Sequence, residues 1–148
     1  EMNDFTTVPG EANMFGLSQS DRNLPEPGKR PLSSMSPSII VRNGRTIMTA
    51  GASGGPRIIT ATAQVILRVL QGGDGAVAAV EAPRIHHQWT PDRVRVENGQ
   101  DRVVAHLESI GHETTSTGGV GVVQAIVVHP DGLEPASDPR KGGRAAGW

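Results

Sequence analysis

No cysteine occurs anywhere in the chain, so it can hold no disulfide, no thiolate metal site and no cysteine nucleophile, and its redox compartment stays open. Tyrosine is absent too, and only two Phe and two Trp are present. A core must therefore be assembled from Val, Ile, Leu and Ala, which suits strands and helices packed in layers. No apolar run approaches the roughly 18 residues that span a bilayer, and no signal peptide is recognisable. An excess of one charge sign is also missing: the net charge is −1, which argues against a strongly basic nucleic-acid binder, so no nucleic-acid partner is expected. With 36% hydrophobic residues, the chain lies outside the low-hydrophobicity disordered class.

What is abundant is punctuation. Nineteen Gly and 11 Pro are too many for a plain helical bundle and predict tight turns between short elements. A length of 148 residues fits one domain, 1–148, that would bury roughly 68–70% of its unfolded surface if it folded alone. The first residue is Glu1 rather than Met, so the chain reads as a processed product or a fragment.

Residues 1–36 have little periodicity and many breakers, among them Pro9-Gly10, Pro25 and Pro27-Gly28, and are expected to cross the surface irregularly. From 38 onward Ile39, Ile40 and Val41, the Asn43-Gly44 pair and residues 46–49 predict a β-hairpin. Residues 51–55 read as a small-residue loop. Pro56 then stands where a first helical turn tolerates proline, ahead of Ile58, Ile59, Ala63, Val65, Ile66, Val69 and Leu70 at helical spacing, stopped by Gly72-Gly73. A short helix at 75–82 ends at Pro83, residues 84–91 show no clean period, and 94–97 predict a short strand. Asp101 is placed to cap a helix that Gly111 terminates. Beyond it, 121–128 read as a buried strand, 129–132 as a turn, 133–136 as the returning strand, and the tail from Asp138 as polar and Gly-rich. No internal repeat or low-complexity tract is found.

Four stretches can carry chemistry. Residues 51–55, glycines just before a helix, expose backbone N–H groups that bind an anion or a developing oxyanion, although a tight structural turn explains the same glycines. The stretch matches neither a Walker A nor a G-x-G-x-x-G pattern. The hydroxyls of Ser33, Ser34 and Ser36 can donate to a carboxylate or cap a turn. Glu1 and Asp4 can pair with an ammonium group or form a solvated end. His86 and His87, with His106, His112 and His129 elsewhere, invite a metal reading. Neighbouring residues of an extended segment point in opposite directions and no H-E-x-x-H spacing appears, so a hydrogen-bonding role is favoured and no metal or cofactor is expected.

In their order these stretches resemble the small subunit of γ-glutamyltransferases (glutathione hydrolases). Glu1-Met2-Asn3-Asp4-Phe5 is similar to that family's E-M-D-D-F segment, and Gly28-Lys29-Arg30-Pro31-Leu32-Ser33-Ser34-Met35-Ser36-Pro37 matches its most recognisable signature. Gly54-Gly55 with Arg57-Ile58-Ile59, then Ala82-Pro83-Arg84-Ile85-His86-His87-Gln88-Trp89, Pro91-Asp92, Gly111-His112 and Asp138-Pro139-Arg140 continue the register. Departures are Asn3 for the usual first Asp, Pro56 for a small hydroxyl residue, and the closing Gly147-Trp148 for Gly-Tyr. Pro56 lacks an N–H, but the two glycines before it keep theirs.

The resemblance implies an α+β, N-terminal nucleophile hydrolase fold, an αββα sandwich present here only in part, without its opening strands and without the large subunit. It implies γ-glutamyl transfer and hydrolysis, on glutathione and related compounds, through a threonyl acyl-enzyme whose nucleophile is not in this chain. Glu1 and Asp4 would bind the substrate's α-ammonium, Ser33 and Ser34 its α-carboxylate, and the Gly54 and Gly55 backbone would form the oxyanion hole. Partners would be the large subunit of the same precursor, the γ-glutamyl donor, and an amino-acid or peptide acceptor or water; the location would be periplasmic, secreted or at the cell surface. This chain alone is expected to be inactive. Two alternatives are a degenerate, non-catalytic γ-glutamyl or amino-acid binding module, and a glutaryl or cephalosporin acylase, which would not need Asp4.

Overall fold

A computed structural model describes residues 8–18 and 20–146. The chain folds around a four-stranded antiparallel sheet of β1 (Ser38–Arg42), β2 (Arg45–Ser53), β6 (Val122–His129) and β7 (Gly132–Ser137) in the spatial order β1-β2-β6-β7. The β1–β2 turn is the Asn43-Gly44 pair, with φ of 51° and 75°, the left-handed pair whose twist suits a two-residue hairpin. A bulge interrupts the register between Ile40 and Val41. Residues 51–53 are not a loop: Gly51, Ala52 and Ser53 pair with Gln124, Val123 and Val122, so β2 runs to the edge of the glycine pair. Small side chains hide this strand from a propensity reading, and a distant partner strand supplies the pairing.

Period-two alternation gives the sheet one apolar face. Met48, Ala50, Val123, Ala125, Val127 and Ala136 are all buried there. Helix α1 (Arg57–Leu67) covers them with Ile58, Ala61, Thr62 and Val65, at i, i+3, i+4 and i+7, the stripe expected of a helix with one buried side. Helix α2 (Ala76–Glu81) adds Ala76, Ala79 and Val80. The apolar pattern that ran on to Leu70 belongs to two pieces, because α1 ends at Leu67 and a wider π-type turn over Arg68–Gly72 closes it, with Gly73 left-handed at φ 75°. The opposite face of the sheet is open in this chain, where Ile39, Ile126 and Leu133 are 70%, 37% and 66% exposed.

A second, three-stranded sheet is built from β3 (Ile85–His86), β4 (Val94–Glu97) and β5 (Thr114–Thr117), with α3 (Asp101–Ser109) connecting the parallel pair β4–β5. Asp101 is the first residue of α3 rather than its cap; Gln100 holds the cap position and makes no side-chain cap bond. Gly111 follows α3 in the left-handed region at φ 95°, with its N–H on Glu108 and the His112 N–H on Leu107, a glycine-terminated end as expected.

A buried ionic cluster joins the two sheets. Arg84 and Asp138 are each 1% exposed and Glu97 5%; Arg84 Nη2 meets Asp138 Oδ2 at 2.5 Å, and Arg140 bridges Asp138 Oδ1 at 3.0 Å and Glu97 Oε1 at 2.8 Å. The carboxylates also take backbone donors, Val123 N–H on Asp138 and both Val120 and Arg84 N–H on Glu97. Arg140 closes the C-terminal end of α2 by donating to the carbonyls of Val80 and Ala82. Burial alone raises the Asp138 carboxyl, but hydrogen bonds from Arg84, the Val123 N–H and Arg140 outweigh it and hold the group below its usual range.

Candidate active site

The glycine pair sits between the end of β2 and the start of α1. Gly54 has φ 138° and Gly55 φ 58°, conformations that side chains with a Cβ rarely adopt. Their carbonyls start the helix by accepting from Arg57 and Ile58 at 3.3 and 3.1 Å. Their two N–H groups donate to no acceptor among the described residues. Two adjacent unpaired donors beside a helix N-terminus are what a developing oxyanion requires.

Three neighbours fix this turn. Ser34, 6% exposed, donates its hydroxyl to the Gly55 carbonyl at 2.9 Å. The Phe15 ring lies so close to Gly55 that a Cβ there would stand inside its van der Waals surface. Gly121, at φ 66°, backs onto the other glycine: a Cβ at Gly54 would be 3.0 Å from the Gly121 Cα. Nothing in the local pattern of residues 13–17 announced Phe15. The segment is held by Asn13, whose Oδ1 accepts from the Phe15 and Leu17 N–H groups, and by Gln88, whose Nε2 donates to the Phe15 carbonyl at 2.8 Å.

Of the expected site residues, Ser34 and Gly55 are in contact. Ser33 is exposed and its Oγ accepts from the Met35 N–H at 3.1 Å, which leaves its own proton available. Ser33 and Ser34 line a cleft of about 350 Å³ together with Pro56, Thr60 and His86. Ser36 faces another cleft of about 640 Å³, bordered by Gly51, Ser53 and Gln124 on the open face of the large sheet. Glu1 and Asp4 lie outside the described residues.

His86, 2% exposed, lines the smaller cleft with Gln88 and has the hydrogen-bonding role that its sequence setting favoured. Gln88 Nε2 donates to the Phe15 and Thr90 carbonyls, so its Oε1 faces His86 Nε2 at 2.9 Å as an acceptor. The imidazole therefore carries its proton on Nε2, and Nδ1 accepts from the Thr60 hydroxyl at 2.8 Å. Burial pushes the His86 pKa down, the Gln88 hydrogen bond partly opposes this, and the positive charges of Arg57 and Arg95 add to the depression. His87 lines the same cleft and pairs with Asp92 at 3.0 Å, and His129 pairs with Glu134 at 3.0 Å.

A histidine whose folded pKa is lowered binds fewer protons folded than unfolded, so its contribution to stability is complete above the unfolded value of 6.5 and is lost as pH falls below it. The denaturation midpoint of the complete protein is accordingly expected to fall from about pH 7 to about pH 5, and less steeply in His86→Gln. Identical slopes in the two proteins would refute this.

A family model described as gamma-glutamyltranspeptidase matches residues 1–148. The chain belongs to the γ-glutamyltranspeptidase family. Its sequence is 44% identical over 142 residues to the glutathione hydrolase proenzyme of Escherichia coli K12, covering 95% of this chain and 24% of that protein. The chain thus spans about a quarter of that curated relative's length. Among solved structures, a mutant of the Helicobacter pylori γ-glutamyltranspeptidase superposes with a TM-score of 0.86 at 41% identity, covering 95% of this chain and 79% of that one. The Pseudomonas nitroreducens enzyme complexed with L-DON gives 0.83 at 42%, covering 100% and 78%. The two sheets and their helices are therefore part of an N-terminal nucleophile hydrolase fold, as the γ-glutamyltranspeptidase resemblance implied.

Proposed function

We propose that residues 1–148 are the C-terminal part of the small subunit of an autoprocessed γ-glutamyltransferase, and that the Gly54 and Gly55 N–H groups are its oxyanion hole. The observation that carries this reading is the pair of N–H donors left without an acceptor among the described residues at a rigidly braced turn. In the reaction, a threonine hydroxyl from outside this chain attacks the γ-glutamyl amide carbonyl. The carbonyl oxygen gains negative charge, the two N–H groups stabilise it, and the amine leaves with a proton. Water or an acceptor amine then takes the acyl group.

The substrate's free amino-acid end carries two charges, and its recognition is assigned to Glu1 and Asp4 for the ammonium and to Ser33 and Ser34 for the carboxylate. Ser33 has its proton available. Ser34 would have to turn its hydroxyl from the Gly55 carbonyl to the ligand, so its role couples recognition to the shape of the turn. The open, partly apolar face of the large sheet supports a large-subunit partner as the second sheet layer, and this chain by itself is proposed to be inactive.

Steady-state kinetics of the complete protein with a γ-glutamyl anilide test the assignment. Asp4→Ala and Ser33→Ala are each expected to weaken donor use by about 1.5–3 kcal/mol, roughly 10- to 150-fold, mainly through KM. Unchanged kcat/KM in both variants would remove the proposed pocket.

A further inference from the structure

Glu97 lies on the small sheet, 5% exposed, and touches neither glycine of the turn. Its Oε1 nevertheless accepts the Val120 N–H at 2.6 Å, in the middle of the turn that leads into β6. Val120 itself is fully buried in the main core, so its backbone is pinned from both sides. The next residue, Gly121, is wedged among three elements: a Cβ there would be 2.8 Å from Ala61 Cβ on α1, and 3.5 Å from the carbonyls of both Ser53 and Arg57. It meets Gly54 backbone against backbone. On the far side, Gly119 accepts from Arg57 and Thr117 at 3.5 Å, contacts too long to set the turn by themselves.

We propose that Glu97 is a positioning residue for the Gly54–Gly55 turn, acting through the Val120 N–H and the packing of Gly121 on Gly54. The proposal rests on the oxyanion-hole reading of that turn. Four donors converge on the Glu97 carboxylate, with Val120 N–H and Arg140 Nε on Oε1 and Arg84 N–H and Arg140 Nη2 on Oε2. A carboxylate satisfies all four, whereas a glutamine amide must turn its NH₂ toward one pair of donors. A shift of the 118–121 turn then passes directly to Gly54, because close-packed backbone has no slack to absorb it.

The test uses the complete protein, with active sites counted by stoichiometric titration with L-DON, the ligand complexed by the Pseudomonas nitroreducens relative, so that rates refer only to folded, ligand-competent enzyme. Glu97→Gln and Gly121→Ala are each expected to lower the acylation rate per titrated site by about 10- to 100-fold, with product glutamate bound as in the wild type. The double variant is expected to be no slower than the slower single, because both act on one contact. If Glu97→Gln yields no titratable sites, Gly121→Ala carries the test. A purely structural role would lower the thermal midpoint and the number of titratable sites while leaving the rate per site intact, and that result, or strictly multiplicative losses, overturns the proposal. Gly55→Ala is run alongside. If it too keeps its rate per site, the oxyanion-hole reading fails; if it alone slows, only the role of Glu97 fails.

Discussion

Gly55→Ala is expected to slow acylation of the complete protein by about 10²- to 10³-fold, the loss that follows removal of one oxyanion donor, about 2.7–4 kcal/mol. Two independent constraints force the change. The backbone at Gly55 is left-handed at φ 58°, where alanine is strained by roughly 1–2 kcal/mol. Its Cβ also has no room, because the Phe15 ring occupies that volume. Relief requires the turn to leave the left-handed region or Phe15 to move, and either route re-aims the N–H groups. The loss is expected in kcat rather than in the affinity for glutamate, since the amides act on charge that appears only in the transition state. Single-turnover acylation measured beside glutamate inhibition separates the two. A variant with normal acylation would show that the glycines serve the turn alone.

Asp138→Ala is expected to be the most destabilising single change, by about 3–5 kcal/mol, because it removes the closer counter-charge of the buried Arg84 guanidinium and leaves it only Glu97, 4.0 Å from Nε. Among the described residues, two donors of Arg84, Nε and Nη1, already have no hydrogen-bond partner, and without Asp138 its Nη2 keeps only the long 3.4 Å contact to the Val80 carbonyl. The Val123 N–H loses its acceptor as well. The urea midpoint of the complete protein at neutral pH reads this out. The acid limb carries a second signature: the Asp138 carboxyl is held below its usual 3.8, so its contribution is present above that pH and disappears as pH falls through the lower folded value. Asp138→Asn is expected to lose that part of the acid dependence. A midpoint within about 1 kcal/mol of the wild type would show that the cluster is dispensable.

Much of this fold is visible in local patterning. The hairpin follows from Asn43-Gly44, and the β6–β7 pair from a buried strand and its return around a Pro-Asp-Gly turn; α1 follows from Ile58, Ile59, Ala63, Val65 and Ile66 at helical spacing, although the face it buries is Ile58, Ala61, Thr62 and Val65, with Ile59 and Ala63 exposed. The end of β2 is not visible, since Gly51, Ala52 and Ser53 resemble a loop until Gln124, Val123 and Val122 pair with them. At the site, Ser33, Ser34, Gly54 and Gly55 stand out as motifs, yet their wording cannot say that Ser34 braces Gly55 across 21 residues of sequence. Phe15 escapes notice because a lone aromatic in an irregular segment has no period to betray it. Glu97 escapes for the opposite reason: a charged residue in a short strand reads as solvated, and only the convergence of Arg84, Arg140 and the Val120 N–H shows it buried.

The three-stranded sheet and α3 together occupy a contiguous stretch of chain and close mostly upon themselves. They are tied to the large sheet and α1 by few links: the Glu97 cluster, the Thr60–His86 hydrogen bond, and Gln64, which both donates to and accepts from Ile85. All of these links are polar, and the apolar contacts of the main cluster stop short of β3, β4 and β5. A seam held mainly by polar links is where local opening is expected to cost least, short of melting the four-stranded core. Each such opening would also release the Val120 N–H from Glu97, tying the slow breathing of one sheet to the shape of a turn on the other.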